Sequence, residues 1–201
     1  MRLNETEHTA RPWRIHEITQ DFHLEDVWAL PTPGGRAGDF PLLVESFAAG
    51  DPGESSSALV RGLFALRWKL GELFGLDDDR SGLGSRVPTL RKRMPADLKN
   101  SPGPEFASLP FRSLYLTENE WAAEVANRTM HGVLHLGWVP DGDGGYRGQM
   151  AVLVKNNGLF GAGYMAAIRP FRHLIVYPQM LRDIERKWRE AQSSRGVATA
   201  I

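Results

Sequence analysis

The sequence predicts an α+β domain in which a curved antiparallel sheet wraps around a long C-terminal helix. Three observations lead to this prediction. Helix-forming patterns dominate the first half of the chain, strand patterns joined by hairpin-turn residues follow, and an apolar helical stripe comes last. Strands joined by short hairpins pair antiparallel, which excludes a parallel doubly wound sheet. The apolar face of the last helix needs a sheet to lie on.

The first half of the chain predicts mainly helices. Residues 13–18 alternate weakly between apolar and polar side chains, which is typical of a short strand. Residues 24–30 are predicted to form a short helix, and Asp39 is predicted to cap another helix that runs to about Ala48. The clearest helix spans residues 56–74, where leucines recur three or four positions apart.

Residues 76–110 predict a long irregular insertion with one short helix, because they contain five prolines and the basic cluster at 91–93. We expect a single domain over residues 13–191 that includes this insertion. The ends are polar and rich in small residues, so flexible tails are predicted over residues 1–12 and 192–201.

The second half predicts an antiparallel meander and a final helix. Strands are predicted over residues 111–116, 122–139 (with a turn at 127–128), 146–155 and 159–168. Residues 117–120 have capping-box form and predict a helical turn, whereas residues 141–145 and 156–158 predict hairpin turns. The final helix is predicted from Pro170 to about Glu190, with a kink at Pro178. Its predicted apolar face comprises Phe171, Leu174, Ile175, Leu181, Ile184 and Trp188.

Composition excludes several classes of function. The 201 residues include 24 Lys and Arg against 24 Asp and Glu, so there is no electrostatic reason to expect nucleic acid as a partner. The absence of cysteine excludes disulfides and thiolate metal sites. No apolar stretch is long enough for a membrane span, and the N-terminus lacks a signal-peptide pattern. We therefore expect a cytoplasmic protein.

His131 and His135 are the candidate catalytic residues. On a helix this spacing could hold zinc, but on the predicted strand the two side chains lie ~13 Å apart, so we expect no metal. Two interpretations stay open. Both residues line a half-buried sheet face, or both line a cavity where one binds a polar group or moves a proton near neutral pH. Glu124 is the nearest carboxylate, but strand parity assigns it to the opposite face.

Two faces are predicted for the strand that carries these histidines. Met130, Leu134, Leu136 and Trp138 share an apolar parity, and Thr129, His131, Val133 and His135 share a mixed one. We expect the mixed face to look into a cavity, since ligand sites are mostly apolar with a few placed polar groups. Further candidate ligand-binding residues are Tyr115, Arg128, Tyr164 and Arg169.

The sequence contains no motif for phosphate binding, dinucleotide binding or hydrolysis. Glycines at 158, 161 and 163 follow a turn and enter a predicted strand, whereas phosphate-binding loops leave a strand and open a helix. No dinucleotide-binding fingerprint and no hydrolase nucleophile motif occurs, so no cofactor is predicted. Arg169 precedes the last helix, where it is either ordinary surface charge or an anion clamp.

Six segments carry a family resemblance: WRIHEI, LEDVWALP, FALRWKLGELFG, LYLTENEW, NRTMHGVLHLGW and YMAAIRPFRHLIVYP. They resemble a bacterial family, domain-of-unknown-function family 2867, over nearly the whole chain. The tail of the match is similar to the C-terminal domain fused behind short-chain nucleotide-binding proteins in some bacteria. That group is generally placed in the START-like, or helix-grip, superfamily with polyketide cyclases and pollen allergens. The resemblance implies a cavity between the sheet and the long helix, but no particular reaction.

Three functions are expected in this order. The first is binding of a small apolar molecule in an internal cavity. The second is a cyclase or dehydratase type of reaction that uses a histidine as general base. The third is an interaction module that partners a separate nucleotide-binding oxidoreductase, as the fused relatives suggest. A histidine hydrogen-bonded to an acidic or tyrosyl partner inside the cavity would favour the second over the first.

Overall fold

The computed structural model describes residues 1–49, 83, 87–107, 109–126, 130–157 and 172–198. The helix predicted over 56–74 and the strand predicted over 159–168 lie outside the described residues. So does the end of the hairpin turn predicted at 156–158.

A five-stranded antiparallel open sheet forms the centre of the described structure, in the spatial order β1-β5-β4-β3-β2. Its strands are β1 (His23–Ala29), β2 (Arg112–Leu116), β3 (Glu120–Ala126), β4 (Met130–Pro140) and β5 (Tyr146–Asn156). The meander from β2 to β5 confirms the strands predicted over 111–116, 122–139 and 146–155. The hairpin at 141–145 is confirmed too: Gly142 and Gly144 have φ of 94° and 87°, which glycine tolerates without steric cost.

Of the described helices, two short ones precede β1, two lie between β1 and β2, and a long one comes last. They are α1 (Thr6–Thr9), α2 (Ile15–Ile18), α3 (Phe40–Ala48), α4 (Ala96–Lys99) and α5 (Tyr177–Ala198), with 3-10 turns at Ala37–Asp39 and Leu90–Lys92. A π-helical turn over Arg172–Val176 leads into α5. Helix α3 confirms the predicted helix, although the Asp39 side chain accepts the Arg36 backbone N–H rather than capping α3. Pro178 is the second residue of α5 and lies just after the π-helical turn, and the kink at Pro178 stays a prediction.

Three local predictions are wrong. Residues 13–18 contain the helical turn α2 rather than a strand, and residues 24–30 lie largely in β1 rather than in a helix. A short apolar segment such as residues 24–30 is compatible with a helix or a strand. Pairing with β5 makes it a strand. In residues 117–120, the Thr117 hydroxyl accepts the Glu120 N–H as a helix cap would, but the chain turns directly into β3.

The two sheet faces are covered by different parts of the chain. One face packs against α3 and α5 in a cluster that includes Trp28, Phe40, Leu43, Trp121, Leu136, Trp138, Met150, Ile184 and Trp188. The even-numbered apolar residues of β4 therefore lie on the α5 side. The other face is covered by residues 13–18 and 90–98, in a cluster that includes Trp13, Ile15, Ile18, Leu90, Met94, Leu98, Val133 and Leu153.

Both predicted tails are structured where they are described. The backbones of Met1 and Leu3 hydrogen-bond to β1 at Ala29 and Val27, and His8 is fully buried. At the other end, α5 continues to Ala198, beyond its predicted end. No helix in the described part of the chain has the length and apolar character needed to cross a lipid bilayer.

The buried face of α5 is tested by paired substitutions. Ile184 is 7% exposed against the sheet, whereas Leu174, predicted on the same face, is 76% exposed. Ile184→Ala should lower the free energy of unfolding by ~2–5 kcal/mol, as large-to-small core changes do. Leu174→Ala should change it by less than ~0.5 kcal/mol, the scale of a surface substitution. Urea denaturation of both variants measures the difference, and equal losses would contradict this packing.

Candidate functional site

The register between β3 and β4 brings two glutamates onto the face of the two histidines. Glu120 lies opposite Gly137, and Glu124 lies opposite Val133. Residues directly opposite one another in an antiparallel pair point to the same side of the sheet. Glu120 and Glu124 therefore share the face of His131 and His135. The prediction that Glu124 opposes the histidines is wrong, because register rather than residue number relates the faces of two strands.

Glu120 is a buried carboxylate with three hydrogen-bonding partners. Its Oε2 accepts the Tyr115 hydroxyl at 3.1 Å and lies 3.0 Å from His135 Nε2, while its Oε1 accepts the backbone N–H of Arg14 at 2.9 Å. Burial alone would raise the pKa of Glu120, but these partners together hold it below its usual value. The carboxylate is therefore ionised at neutral pH.

His135 continues this contact toward the N-terminus. Its Nδ1 lies 3.2 Å from His8 Nε2, and the His8 ring meets His16 edge-on with ring centroids 4.9 Å apart. Burial lowers the pKa of His135, and burial with the nearby His135 and His16 rings lowers the pKa of His8 to about 2. Both rings are therefore neutral near pH 7. We call Glu120, His135 and His8 the imidazole chain.

A second carboxylate–histidine pair lies further along the same strands. His131 Nε2 is 2.8 Å from Glu124 Oε2, and the same oxygen accepts the Leu90 backbone N–H at 3.0 Å. The Thr89 hydroxyl donates to the other oxygen. These bonds attach the 3-10 turn after Thr89 to the sheet, so this pair holds one covering segment in place.

The structure brings together some of the predicted site residues. Tyr115, His131 and His135 are all buried on the sheet face opposite α5. The histidines therefore do not line a cavity between the sheet and α5. The side chains of β4 that face α5 are the apolar ones, such as Leu136 and Trp138. Arg128, Tyr164 and Arg169 lie outside the described residues.

Sequence reasoning missed Glu120 and His8. The sequence pattern places Glu120 in a capping box and His8 in a flexible tail. Antiparallel pairing of β3 with β4 is the signal that puts Glu120 on the face of His135. No local pattern signals His8, which is 127 positions from His135 in the chain.

A pocket of about 250 Å³ lies between the N-terminal helical turns and the sheet. We call it the histidine pocket. Eight of the described residues line it, three of them apolar and the others polar: His8, Thr9, His16, Thr19, Gln20, Phe22, Leu24 and Leu153. His8 Nδ1 and His16 Nε2 are buried without a hydrogen-bond partner among the described residues.

A larger open groove of about 710 Å³ lies where β3 begins and β4 ends. Trp13, Trp138 and Tyr146 contribute aromatic surface to it, and Glu120 reaches its wall. The imidazole chain thus extends from this groove to the histidine pocket. Within the described residues, no group of three or more His, Asp or Glu side chains is arranged to hold a metal ion.

The fold and the site define a class: an α+β domain whose open antiparallel sheet buries carboxylate–histidine pairs on one face. A family model described as "Protein of unknown function (DUF2867)" matches residues 18–179. Because this span covers most of the sequence, the chain belongs to that family. Comparisons with curated proteins and with solved structures found no match. Glu120 and His135 lie inside the matched span, whereas His8 and His16 precede it.

The buried, neutral state of His8 predicts a pH dependence of stability. The folded-state pKa is about 2, below the ordinary value of 6.5, so below about pH 6.5 the unfolded chain binds the extra proton. Stability is therefore fully present above that pH and falls on acidification, by about 1.4 kcal/mol per pH unit for each such proton.

Urea denaturation at pH 7, 6 and 5 measures this slope. His8→Gln should reduce it by about one proton relative to wild type. His23→Gln, which removes an exposed histidine of β1, is the matched control for the loss of one imidazole. A wild-type slope in His8→Gln would show that folded His8 takes up its proton normally.

Proposed function

We propose that this chain binds a small molecule in the histidine pocket. The observation that supports the proposal is the pair of imidazole nitrogens, on His8 and His16, that are buried beside the pocket without a partner among the described residues. Buried polar atoms in folded proteins almost always have partners, and leaving one without costs about 1–3 kcal/mol. A bound molecule that hydrogen-bonds to these nitrogens recovers that free energy.

The pocket suits a small ligand with an apolar body. Known ligand sites have volumes of about 300–1,000 Å³ and mainly apolar walls with a few placed polar groups. At about 250 Å³, the histidine pocket has room for a molecule of the size of one substituted aromatic ring. Phe22, Leu24 and Leu153 would contact that body, and the two imidazoles would contact its polar substituent.

Binding is favoured over the acid–base enzyme because of the protonation states of the histidines. A general base acts best when its pKa is near the working pH. Burial lowers the pKa of His135, and it lowers that of His8 to about 2. A proton abstracted by His8 would therefore be held weakly. The helix-grip relationship and the oxidoreductase partner stay predictions, and α5 lies on the sheet face away from the proposed pocket.

Fluorine NMR with 4-fluorophenol tests the proposal. We expect saturable binding to the wild-type chain. Gln20 is an exposed residue at the pocket wall, so Gln20→Trp should block the pocket with little effect on folding and weaken binding at least tenfold.

The matched control fills the other opening. Glu118 is an exposed residue at the wall of the open groove, so Glu118→Trp should leave 4-fluorophenol binding unchanged. Loss of binding in Glu118→Trp but not in Gln20→Trp would move the ligand to the groove. Absence of binding to the wild-type chain at millimolar 4-fluorophenol would contradict the proposal.

A further inference from the structure

The hydrogen-bonding capacity of Glu120 determines which nitrogen of His135 carries its proton. An ionised carboxylate only accepts hydrogen bonds. Glu120 Oε1 faces the backbone N–H of Arg14, which can only donate, and Oε2 faces the Tyr115 hydroxyl together with His135 Nε2. The contact at 3.0 Å is therefore a hydrogen bond in which His135 Nε2–H is the donor.

The proton on His135 in turn determines the proton on His8. A neutral imidazole has one N–H and one bare nitrogen that accepts. With its proton on Nε2, His135 has a bare Nδ1, and the group 3.2 Å from that atom is His8 Nε2. This contact is a hydrogen bond only if His8 Nε2 carries the proton. His8 Nδ1 is then bare.

We infer that the imidazole chain makes His8 Nδ1 a fixed hydrogen-bond acceptor and that the histidine pocket selects ligands that carry an O–H or N–H donor. The inference rests on the proposed function for the location of the ligand. Within the described residues His8 Nδ1 is buried and has no partner, so no side chain or backbone group of that part of the protein uses the acceptor. Glu120 and His135 act through His8 and are positioning residues.

The groups that face His8 support a neutral acceptor rather than a cation. The His8 ring lies against His16, His135 and Trp13, with centroids at 4.9, 5.0 and 6.4 Å. None of these three rings supplies a negative charge, and the Glu120 carboxylate is separated from His8 by the His135 ring. An imidazolium at His8 would therefore be buried without a counter-ion in contact, which is costly.

The same walls select against anionic ligands. A carboxylate or phosphate offers lone pairs, which would meet the bare lone pair of His8 Nδ1. The pocket lining contains no lysine or arginine to pair with a negative charge. An alcohol, phenol or amide N–H satisfies the acceptor without bringing a charge into the buried site. The predicted ligand class is thus an uncharged donor group on an apolar body.

Two-bond proton–nitrogen NMR of the histidine side chains tests the acceptor assignment without any ligand. Between pH 6 and 8, His8 and His135 should both be neutral with the proton on Nε2. Glu120→Gln places an amide where the carboxylate was, and its NH₂ then donates to His135 Nε2. Both rings should switch to the tautomer with the proton on Nδ1. A merely structural Glu120 would not invert two tautomers.

The ligand arm compares three probes by fluorine NMR: 4-fluorophenol, 4-fluoroanisole and 4-fluorobenzoate. The phenol should bind at least tenfold more tightly than the anisole, which lacks the donor, and the benzoate should bind most weakly. In Glu120→Gln the preference for the phenol over the anisole should fall below threefold.

The outcomes separate the inference from the proposed function. A proton on His8 Nδ1 in the wild-type chain overturns the acceptor assignment whether or not Glu120→Gln folds. Binding of all three probes with equal affinity overturns the donor selectivity but leaves the pocket. Binding of none of them overturns the proposed function and the selectivity with it, while the wild-type tautomers still decide the acceptor assignment.

Discussion

Burial of two carboxylates on one face of the sheet is the constraint on which much of this structure depends. A buried charge is costly unless it is paired and hydrogen-bonded. Glu120 receives the backbone N–H of Arg14, and Glu124 receives that of Leu90. Two separate segments, one at the N-terminus and one that begins at Thr89, are thereby attached to the sheet by their own main chain. Removal of one partner from such a buried pair typically costs about 3–5 kcal/mol.

The two faces of the sheet differ in the side chains that they bury. The side under α3 and α5 is aromatic and aliphatic, whereas the other side carries the glutamates and histidines. A glycine makes the second arrangement possible. A Cβ atom at Gly137 would lie 2.7 Å from the Trp13 ring, which packs edge-on against His135 at 5.3 Å. Any larger residue at position 137 would displace the Trp13 indole from its contact with His135.

The imidazole chain joins two openings of the molecule. Glu120 reaches the wall of the open groove, and His8 lines the histidine pocket. Burial disfavours the imidazolium form of both His8 and His135, so both rings are neutral. The contacts along the imidazole chain therefore determine which nitrogen of each ring carries the proton, and they transfer no charge. The family match includes Glu120 and His135 but begins after His8. The pocket therefore combines a part that belongs to the family domain with a part that precedes it.

The sequence by itself determined the local elements with strong signals: the hairpin at 141–145, helix α3, and a strand at β4 with one apolar and one mixed face. It also identified His131 and His135 as the chemically interesting pair. Only the tertiary structure decided which face α5 covers, that residues 24–30 pair as a strand, and which carboxylate meets which imidazole. The reason is physical. Periodicity reports how side chains alternate within one segment, whereas register across strands and burial by distant segments decide which side chains meet. His8 and His135 are 127 positions apart in the sequence, so no pattern within one segment can show that they meet.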